Sequence, residues 1–302
     1  MKKQLLVMTV AAAACTCTSS VFAQAGDTLS RIKASGTITM GVRESTAMSY
    51  SLGDGKYTGF HYDVCANIIK DLQKQLNLPK LETRYQPVTS QNRIPLVQNG
   101  TVDLECGATT NNASRQREVS FAVTTYVEEV RMAVKANSGI NSIRDLKGKT
   151  VVTTTGTTSV QLLRKNERAN GIEFRELQGK DHADSFLLLE SGRADAYVID
   201  ASTLAAFIAK AKAPKDFKIV GEVLSVEPIA IMLRKDDPAF KKAVDDSLRA
   251  QFKSGEVARL YDKWFMKPIP PANVVVNLPP SDATKDAWAH PNDKPTEDYM
   301  KK

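Results

Sequence analysis

The sequence predicts an α/β fold of two lobes, joined by two crossing strands and separated by a ligand cleft. Strand-like runs alternate with helix-like runs through most of the chain, which indicates mostly parallel sheets covered by helices. Two long extended runs, at 126–136 and 227–237, interrupt this alternation. One run separates the two α/β units and the other follows the second unit, so we expect them to connect the lobes.

Each element of the first unit follows from its residue pattern. "TITMGV" (37–42) is rich in strand formers, "YDVCANIIKDLQKQL" (62–76) has apolar residues at helical spacing, and "LETRYQPV" (81–88) is extended. A short helix is predicted next, with Ser90 as its N-cap, and the strand "VDLEC" follows. Arg93 falls in the first helical turn, where the positive end of the helix dipole disfavours a cation unless an anion is present.

The second unit repeats the alternation of strands and helices. Its strands are "KTVVTTT", "IEFREL", "ADAYVID" and "FKIV", and its helices are "TTSVQLLRKN", "HADSFLLLESG" and "ASTLAAFIAKAK". Two further helices, "PAFKKAVDDSLRAQFKSG" and "EVARLYDKWF", are expected to return to the first unit. The segment from Lys267 onward is predicted to be a tail that lies along the protein surface and is partly disordered at its end. We therefore expect residues 26–125 and 226–302 to form lobe 1, and 126–225 to form lobe 2.

The first 25 residues have the pattern of a secretory signal. Lys2 and Lys3 precede the apolar run "LLVMTVAAAA", and "AQA" places small residues before a cleavage site after Ala25, with Ala23 as the alternative. Lipid attachment at Cys15 is a second alternative, disfavoured because no leucine stands three residues before it. No other apolar run is long enough to cross a bilayer. We therefore expect a soluble protein exported to the periplasm.

The net charge bears on the class of binding partner, and the cysteine content bears on whether the chain is cross-linked by a disulfide. Cleavage removes two lysines and no acid, so the net charge falls from +7 to +5. The basic residues are scattered, which disfavours nucleic acid as a partner. Cys65 and Cys106 remain after cleavage. An oxidising compartment favours a disulfide between them, with two buried free thiols as the alternative.

Candidate binding residues stand directly after the predicted strands, where ligands bind in open α/β sheets. Taken one at a time, each of these residues also fits an ordinary surface or capping role. Together they supply three arginines, several hydroxyls, one histidine and one carboxylate, a set that suits a ligand with two anionic groups and one cationic group. Acidic amino acids have this charge pattern. The candidates are Arg43, Ser90, Arg93, Ala108, Thr110, Arg115, Thr157, Thr158, His182 and Asp200.

Patterns for catalysis or metal binding are weak. The sequence has no glycine-flanked nucleophilic serine and no H-E-x-x-H, and His61, His182 and His290 are far apart. We therefore expect a binding protein with no metal, no cofactor and no catalytic residues. The alternatives are a small-molecule lyase or dehydratase, with His182 or Glu44 as acid or base, and a module that presents its ligand to a sensor.

Several stretches carry a resemblance to a known family. They are "GVRES", "TSQNRIPLVQNGTVDLECGATTNN", "DLKGKTVVTTTGTTS", "KDHADSFLLLESGRADAYVID", "MLRKDDPAFKK" and "DKWFMKPIPP". With these stretches the chain resembles the periplasmic glutamate/aspartate-binding proteins of ABC transporters, which belong to the polar-amino-acid solute-binding proteins. The resemblance implies a monomer with the type II periplasmic-binding-protein fold, which closes on its ligand by a hinge near Thr124–Val127 and Ser225–Pro228 and delivers it to permease subunits in the inner membrane.

The resemblance also implies a role for each candidate residue. The α-ammonium would be held by Asp200. The α-carboxylate would be held by Arg115, Thr110, Thr157 and Thr158. The side-chain carboxylate would be held by Arg43, Ser90, Arg93 and His182. Members of this branch commonly have serine where this chain has Ala108, which offers only its backbone carbonyl to the ammonium, so affinity or preference between glutamate and aspartate is expected to differ.

Overall fold

The computed structural model describes residues 27–44 and 46–299, so the predicted signal segment, with its cleavage and lipid-attachment sites, lies outside the described residues. The strands are β1 (Thr37–Val42), β2 (Tyr50–Gly53), β3 (Lys56–Thr58), β4 (Glu82–Pro87), β5 (Leu104–Glu105), β6 (Ser120–Phe121), β7 (Tyr126–Lys135), β8 (Thr150–Thr154), β9 (Arg175–Gly179), β10 (Ala196–Asp200), β11 (Phe217–Ile229) and β12 (Met232–Leu233).

The helices alternate with these strands. They are α1 (Thr28–Ser35), α2 (Phe60–Gln75), α3 (Arg93–Gln98), α4 (Ala113–Gln116), α5 (Thr158–Asn170), α6 (His182–Glu190), α7 (Ala201–Lys210), α8 (Pro238–Lys253), α9 (Glu256–Tyr261), α10 (Asp282–Ala289) and α11 (Thr296–Tyr299). Within the described ranges, no helix is both long and apolar enough to cross a membrane.

The longer strands form two five-stranded sheets. The first has the order β4-β1-β5-β12-β6, in which β1 is parallel to β4 and β5, whereas β12 is antiparallel to β5 and β6. The second has the order β11-β7-β10-β8-β9, in which β8 is parallel to β9 and β10, whereas β7 is antiparallel to β10 and β11. Strands that are linked through helices therefore pair in parallel. Strands β7 and β12, which lie next to the connections between the sheets, pair antiparallel with their neighbours.

Burial explains why the periodic segments form these elements. Strands β8 and β10 are buried along their whole length, as expected for central strands with helices on both faces. Helix α2 begins at Phe60, two residues before the predicted start, and buries a helical stripe that includes Val64, Ile68 and Leu72. The central strands thus place their carboxyl ends at a fixed edge of each sheet.

The two sheets are connected by neighbouring segments of chain. Strands β7 and β11 pair with Tyr126 opposite Ile229, and just before β7 the N–H of Thr125 donates to the carbonyl of Ile229 at 3.0 Å. The run predicted at 227–237 is not one strand, because β11 ends at Ile229 and β12 is separate and pairs in the first sheet. The segments predicted to act as hinges therefore lie side by side.

The C-terminal helices return to the first sheet. Gln251 of α8 donates to the carbonyl of Val64 in α2 at 3.4 Å, and both helices share one apolar core. A disulfide joins Cys65 of α2 to Cys106, the residue after β5. The predicted disulfide is therefore confirmed, and the alternative of two free thiols is not. This cross-link ties α2 to the strand end that leads into the candidate site.

Candidate functional site

Most of the residues predicted from strand ends lie around one small cavity of about 10 Å³. Ile199, which the sequence did not single out, also lines it. The remaining two candidates, Arg43 and Arg115, donate hydrogen bonds to residues of the lining. The structure thus brings all ten candidates together, and eight line the cavity directly: Ser90, Arg93, Ala108, Thr110, Thr157, Thr158, His182 and Asp200.

Two buried arginines form one side of the site. Arg43 Nη2 donates to Ser90 Oγ at 3.0 Å, and Arg93 Nη1 donates to the carbonyl of Ala108 at 3.0 Å. Each residue is only 2% exposed, yet among residues 27–44 and 46–299 Arg43 Nη1 and Arg93 Nε have no hydrogen-bond partner. Buried donors are normally paired. Two unpaired guanidinium nitrogens beside a cavity therefore suit an anionic ligand group.

Ser90 reaches this position because it does not cap the helix. Helix α3 begins at Arg93, and the turn before it is closed by Thr89 and Asn92: the Thr89 N–H donates to Asn92 Oδ1 at 2.8 Å, and the Asn92 N–H donates to Thr89 Oγ1 at 3.2 Å. The prediction that Ser90 is the N-cap was wrong. Its hydroxyl is released from that role and accepts from Arg43 instead.

Arg115 approaches the cavity from helix α4. Its Nη1 donates to the carbonyl of Thr110 at 2.9 Å, and its Nη2 donates to the carbonyl of Gly156 at 3.3 Å. Thr110 follows β5 of the first sheet, whereas Gly156 follows β8 of the second. One guanidinium therefore joins the loops of the two sheets.

Burial lowers the pKa of all three arginines of the site. Desolvation, followed by repulsion from Arg93, lowers the pKa of Arg43 to about 10 and the pKa of Arg115 to about 9. Desolvation also lowers the pKa of Arg93. All three stay charged at neutral pH, so an anion that enters the site gains charge-assisted hydrogen bonds without competition from water.

Three buried carboxylates surround the arginines. Asp200 lines the cavity, and desolvation together with the Glu227 carboxylate raises the pKa of Asp200 to about 7. Glu227 Oε2 accepts from Thr110 Oγ1 at 2.6 Å and from Thr158 Oγ1 at 2.9 Å. Glu105 Oε2 accepts from Thr109 Oγ1 at 2.6 Å. Asp200 does not cap helix α7 with its side chain, so its carboxylate is available to a cationic group.

Sequence reasoning missed Glu105 and Glu227. Glu105 ends strand β5 but was not among the candidates. A buried acid at a strand end beside several arginines was the available signal. No comparable signal marked Glu227, because its importance depends on where β11 places it beside loops of both sheets.

His182 begins helix α6, as predicted, and its imidazole is buried. Its Nδ1 lies 3.0 Å from the Tyr197 hydroxyl and 3.2 Å from Thr154 Oγ1. Desolvation, followed by the charges of Arg43 and Arg93, lowers the pKa of His182 well below its usual range. The ring is therefore neutral at physiological pH and can act as a hydrogen-bond donor without adding charge.

Gly156 marks a close approach of the two sheets' loops. Its φ is +80°, and a Cβ at this position would lie 2.8 Å from the backbone of Ser90 and Gln91. Only glycine adopts this conformation freely and leaves room for the facing backbone. The turn after β8 therefore lies directly against the segment that leads into α3.

The chemistry of the site is polar and ionic. Within residues 27–44 and 46–299, no three His, Cys, Asp or Glu side chains are grouped as they would be around a metal ion. Arginine, serine and threonine side chains share the cavity lining with the Asp200 carboxylate, and Glu227 accepts from two of the threonines. Such an arrangement can bind a small zwitterion with an additional anionic group.

Comparison with known proteins places this site in context. The profile of bacterial extracellular solute-binding proteins, family 3, matches residues 38–267. The L-glutamate/L-aspartate-binding protein of Pseudomonas aeruginosa is 46% identical over 272 residues, which cover 89% of this chain and 90% of that protein. The glutamate/aspartate import solute-binding protein of Escherichia coli K12 is 45% identical over 271 residues, with the same coverage.

Solved structures agree with the fold. An ancestral arginine-binding protein bound to arginine aligns with a TM-score of 0.68 and 29% identity, over 76% of this chain and 98% of that one. The two-lobed α/β architecture predicted from the sequence is confirmed by this similarity and by the two sheets described above.

Proposed function

The chain belongs to family 3 of the bacterial extracellular solute-binding proteins, and from this premise we propose that it is the solute-binding component of an ABC importer for L-glutamate, L-aspartate or both. It has the type II periplasmic-binding-protein fold. The observation that carries the proposal is the pair of buried arginines with unpaired nitrogens, of which Arg93 lines the cavity and Arg43 donates to Ser90 of its lining. A neutral ligand would leave them unpaired, whereas a ligand side-chain carboxylate would pair with them.

The proposed contacts follow the charges of the site. The ligand's side-chain carboxylate would pair with Arg43 and Arg93, with Ser90 and neutral His182 as further partners. Its α-ammonium would face Asp200 and the Ala108 carbonyl. Its α-carboxylate would bind Arg115 and the hydroxyls of Thr110, Thr157 and Thr158. The hydroxyls of Thr110 and Thr158 also donate to Glu227.

Binding is proposed to close the cleft. Lobe 1 would comprise 26–125 and 226–302, and lobe 2 would comprise 126–225, with bending at Thr124–Val127 and Ser225–Pro228. Because the ligand contacts groups from both sheets, it binds the closed form more tightly and shifts the population toward it. The closed monomer would then dock on permease subunits in the inner membrane, after export to the periplasm and removal of the signal near Ala25. Nucleic acid has no part in this scheme.

The chain is a binding protein rather than an enzyme, as its two named relatives are. A lyase or dehydratase would need an acid or base in the cleft. Of the two candidates, His182 is held neutral by burial and by neighbouring arginines, which makes it a weak base. Presentation of the ligand to a sensor would use the same binding site and differs only in the partner.

Substitution of Arg93 tests the site. Arg93→Met should weaken glutamate binding by about 3 kcal/mol or more, over a hundredfold, because the ligand carboxylate is left buried without its partner. Arg93→Lys should also weaken binding, since the bidentate geometry is lost. Titration calorimetry measures the glutamate affinity of both variants, and Arg84→Met is the control because Arg84 is an exposed arginine. Wild-type affinity in Arg93→Met would refute the site assignment.

The ligand itself is identified by a thermal-shift screen of the amino acids. Glutamate or aspartate should raise the melting temperature, because a ligand that binds only the folded state stabilises it by mass action. Ala108→Ser, compared in the same screen, tests whether the missing hydroxyl alters the preference between the two. Stabilisation by neutral or basic amino acids, with none by acidic ones, would overturn the proposed ligand class.

A further inference from the structure

The C-terminal segment 281–299 contacts the crossing strand and the loop that carries two site residues. It lies beyond the part of the chain that the family profile matches, which ends at residue 267. We propose that this segment, termed here the brace, is a positioning element for the α-carboxylate half of the site. The inference rests on the proposed function for its ligand, but its contacts are independent of that function.

The brace is hydrogen-bonded to Thr124, Thr125 and Val127, just before and at the start of β7. Trp288 Nε1 donates to the carbonyl of Thr125 at 2.7 Å, and the Thr124 N–H donates to the carbonyl of Asn292 at 2.8 Å. The Thr284 hydroxyl accepts from the Val127 N–H at 3.1 Å and lies 3.2 Å from its carbonyl. These are the residues at which the hinge is proposed to bend, so backbone rotation there must either carry the brace along or break these bonds.

The brace also encloses Asn111, the neighbour of Thr110. Asn111 Nδ2 donates to the carbonyl of Asp293 at 2.9 Å, and the Asn111 carbonyl accepts from the N–H of Thr296 at 2.9 Å and from its hydroxyl at 3.1 Å. Asn111 is fully buried. The backbone that presents Thr110 to the cavity is therefore held by bonds from the brace.

The brace caps the helix that carries Arg115. Glu297 Oε2 accepts from the N–H of Ala113, the first residue of α4, at 3.0 Å. Helix α4 has only four residues, and so short a helix is not stable by itself in water. A carboxylate at its N-terminus satisfies a free N–H group and complements the helix dipole. We infer that the orientation of Arg115 depends on a residue almost two hundred positions later in the chain.

Two variants test the brace with little change in packing. Trp288→Phe keeps an aromatic ring beside Tyr261 but loses the bond to Thr125, and Glu297→Ala removes the acceptor for the Ala113 N–H at the start of α4. Each should weaken glutamate binding roughly fivefold, as expected for the loss of one hydrogen bond. Lys285→Ala is the matched control in α10, because that lysine is exposed and pairs with Asp282 at the surface. Affinity in the brace variants equal to that of the control would overturn the proposal.

Hydrogen exchange measured without ligand tests the role of the brace independently of the proposed function. Amides in 111–127 should exchange faster in both variants, while those of β8 and β10 keep wild-type rates. Unchanged exchange in 111–127 would overturn the brace even if glutamate binds. Faster exchange in a protein that does not bind glutamate would support the brace and overturn only the proposed function.

A fluorescence measurement distinguishes positioning from general stability. The chain has two tryptophans, so Trp264→Phe leaves Trp288 as the single tryptophan, whose emission is recorded with excitation selective for indole. Glutamate should change its emission, because its indole N–H is bonded to the proposed hinge. Constant emission in a variant that calorimetry shows to bind glutamate would contradict a brace coupled to the hinge.

Discussion

Closure of the two lobes should be blocked by one methyl group at Gly156. In Gly156→Ala the added Cβ would lie 2.8 Å from the backbone of Ser90 and Gln91. Carbon atoms in contact are normally about 3.5–4.0 Å apart, so the overlap is roughly 0.7–1.2 Å. The facing atoms belong to backbone and cannot rotate away. Lobe 2 must therefore stop short of the closed position or displace the segment that leads into α3.

The magnitude follows from two separable costs. Overpacking of a well-filled contact typically costs about 1–3 kcal/mol, which corresponds to roughly 5- to 150-fold weaker glutamate binding. A non-glycine residue at positive φ adds about 1–2 kcal/mol. This second cost is present in open and closed forms alike, so it lowers the free energy of unfolding but leaves the affinity unchanged.

Gly171 provides the matched control. It has a φ of +60°, and a Cβ there would meet nothing within 4 Å. Gly171→Ala should therefore lose stability in urea unfolding but bind glutamate as tightly as the wild type in calorimetry. Small-angle scattering of Gly156→Ala should show a smaller ligand-induced compaction than the wild type. If the two variants bind glutamate equally well, the proposed closure against the Ser90–Gln91 backbone is wrong.

Three further outcomes are expected. The pKa of Asp200 is raised to about 7, and the bound ammonium requires the ionised carboxylate. Glutamate affinity should therefore fall by roughly tenfold per pH unit well below that pKa. A dissociation constant that is equal at pH 8 and pH 5.5 would contradict this expectation. Glu227→Gln removes a charge that raises the pKa of Asp200, so the midpoint of this pH profile should move to lower pH, and an unshifted midpoint would show that Glu227 does not act on Asp200. Replacing Cys65 and Cys106 together by serine should lower the free energy of unfolding in urea by about 4 kcal/mol, given their separation of 41 residues; a loss below about 1 kcal/mol would count against the entropic estimate.

Much of the candidate site could be read from local sequence because of a general property of α/β sheets. The carboxyl ends of parallel strands meet at one edge, so residues that directly follow strands converge without any knowledge of packing. Arg43, Ser90, Thr110 and Asp200 were selected in this way, and the structure brings them together around one cavity.

Errors arose where a residue's role depends on a partner distant in the chain. Ser90 has the residue type of an N-cap, but its hydroxyl bonds Arg43, whereas Thr89 and Asn92 close the turn. Glu227 follows no distinctive local pattern, and it matters because it accepts from threonines of both sheets' loops. Side-chain pairing of this kind cannot be derived from hydrophobic period or capping rules.

The sequence by itself determined the alternation of strands and helices, the set of polar residues at the strand ends and the excess of arginines over acids among them. These properties depend on local spacing and residue type, which act within a few positions. Only the tertiary structure decided which donors are left unpaired, how closely Gly156 approaches the opposite loop and where the last helices lie. Those features depend on contacts between segments up to two hundred residues apart, whose geometry is set by the packing of the whole chain.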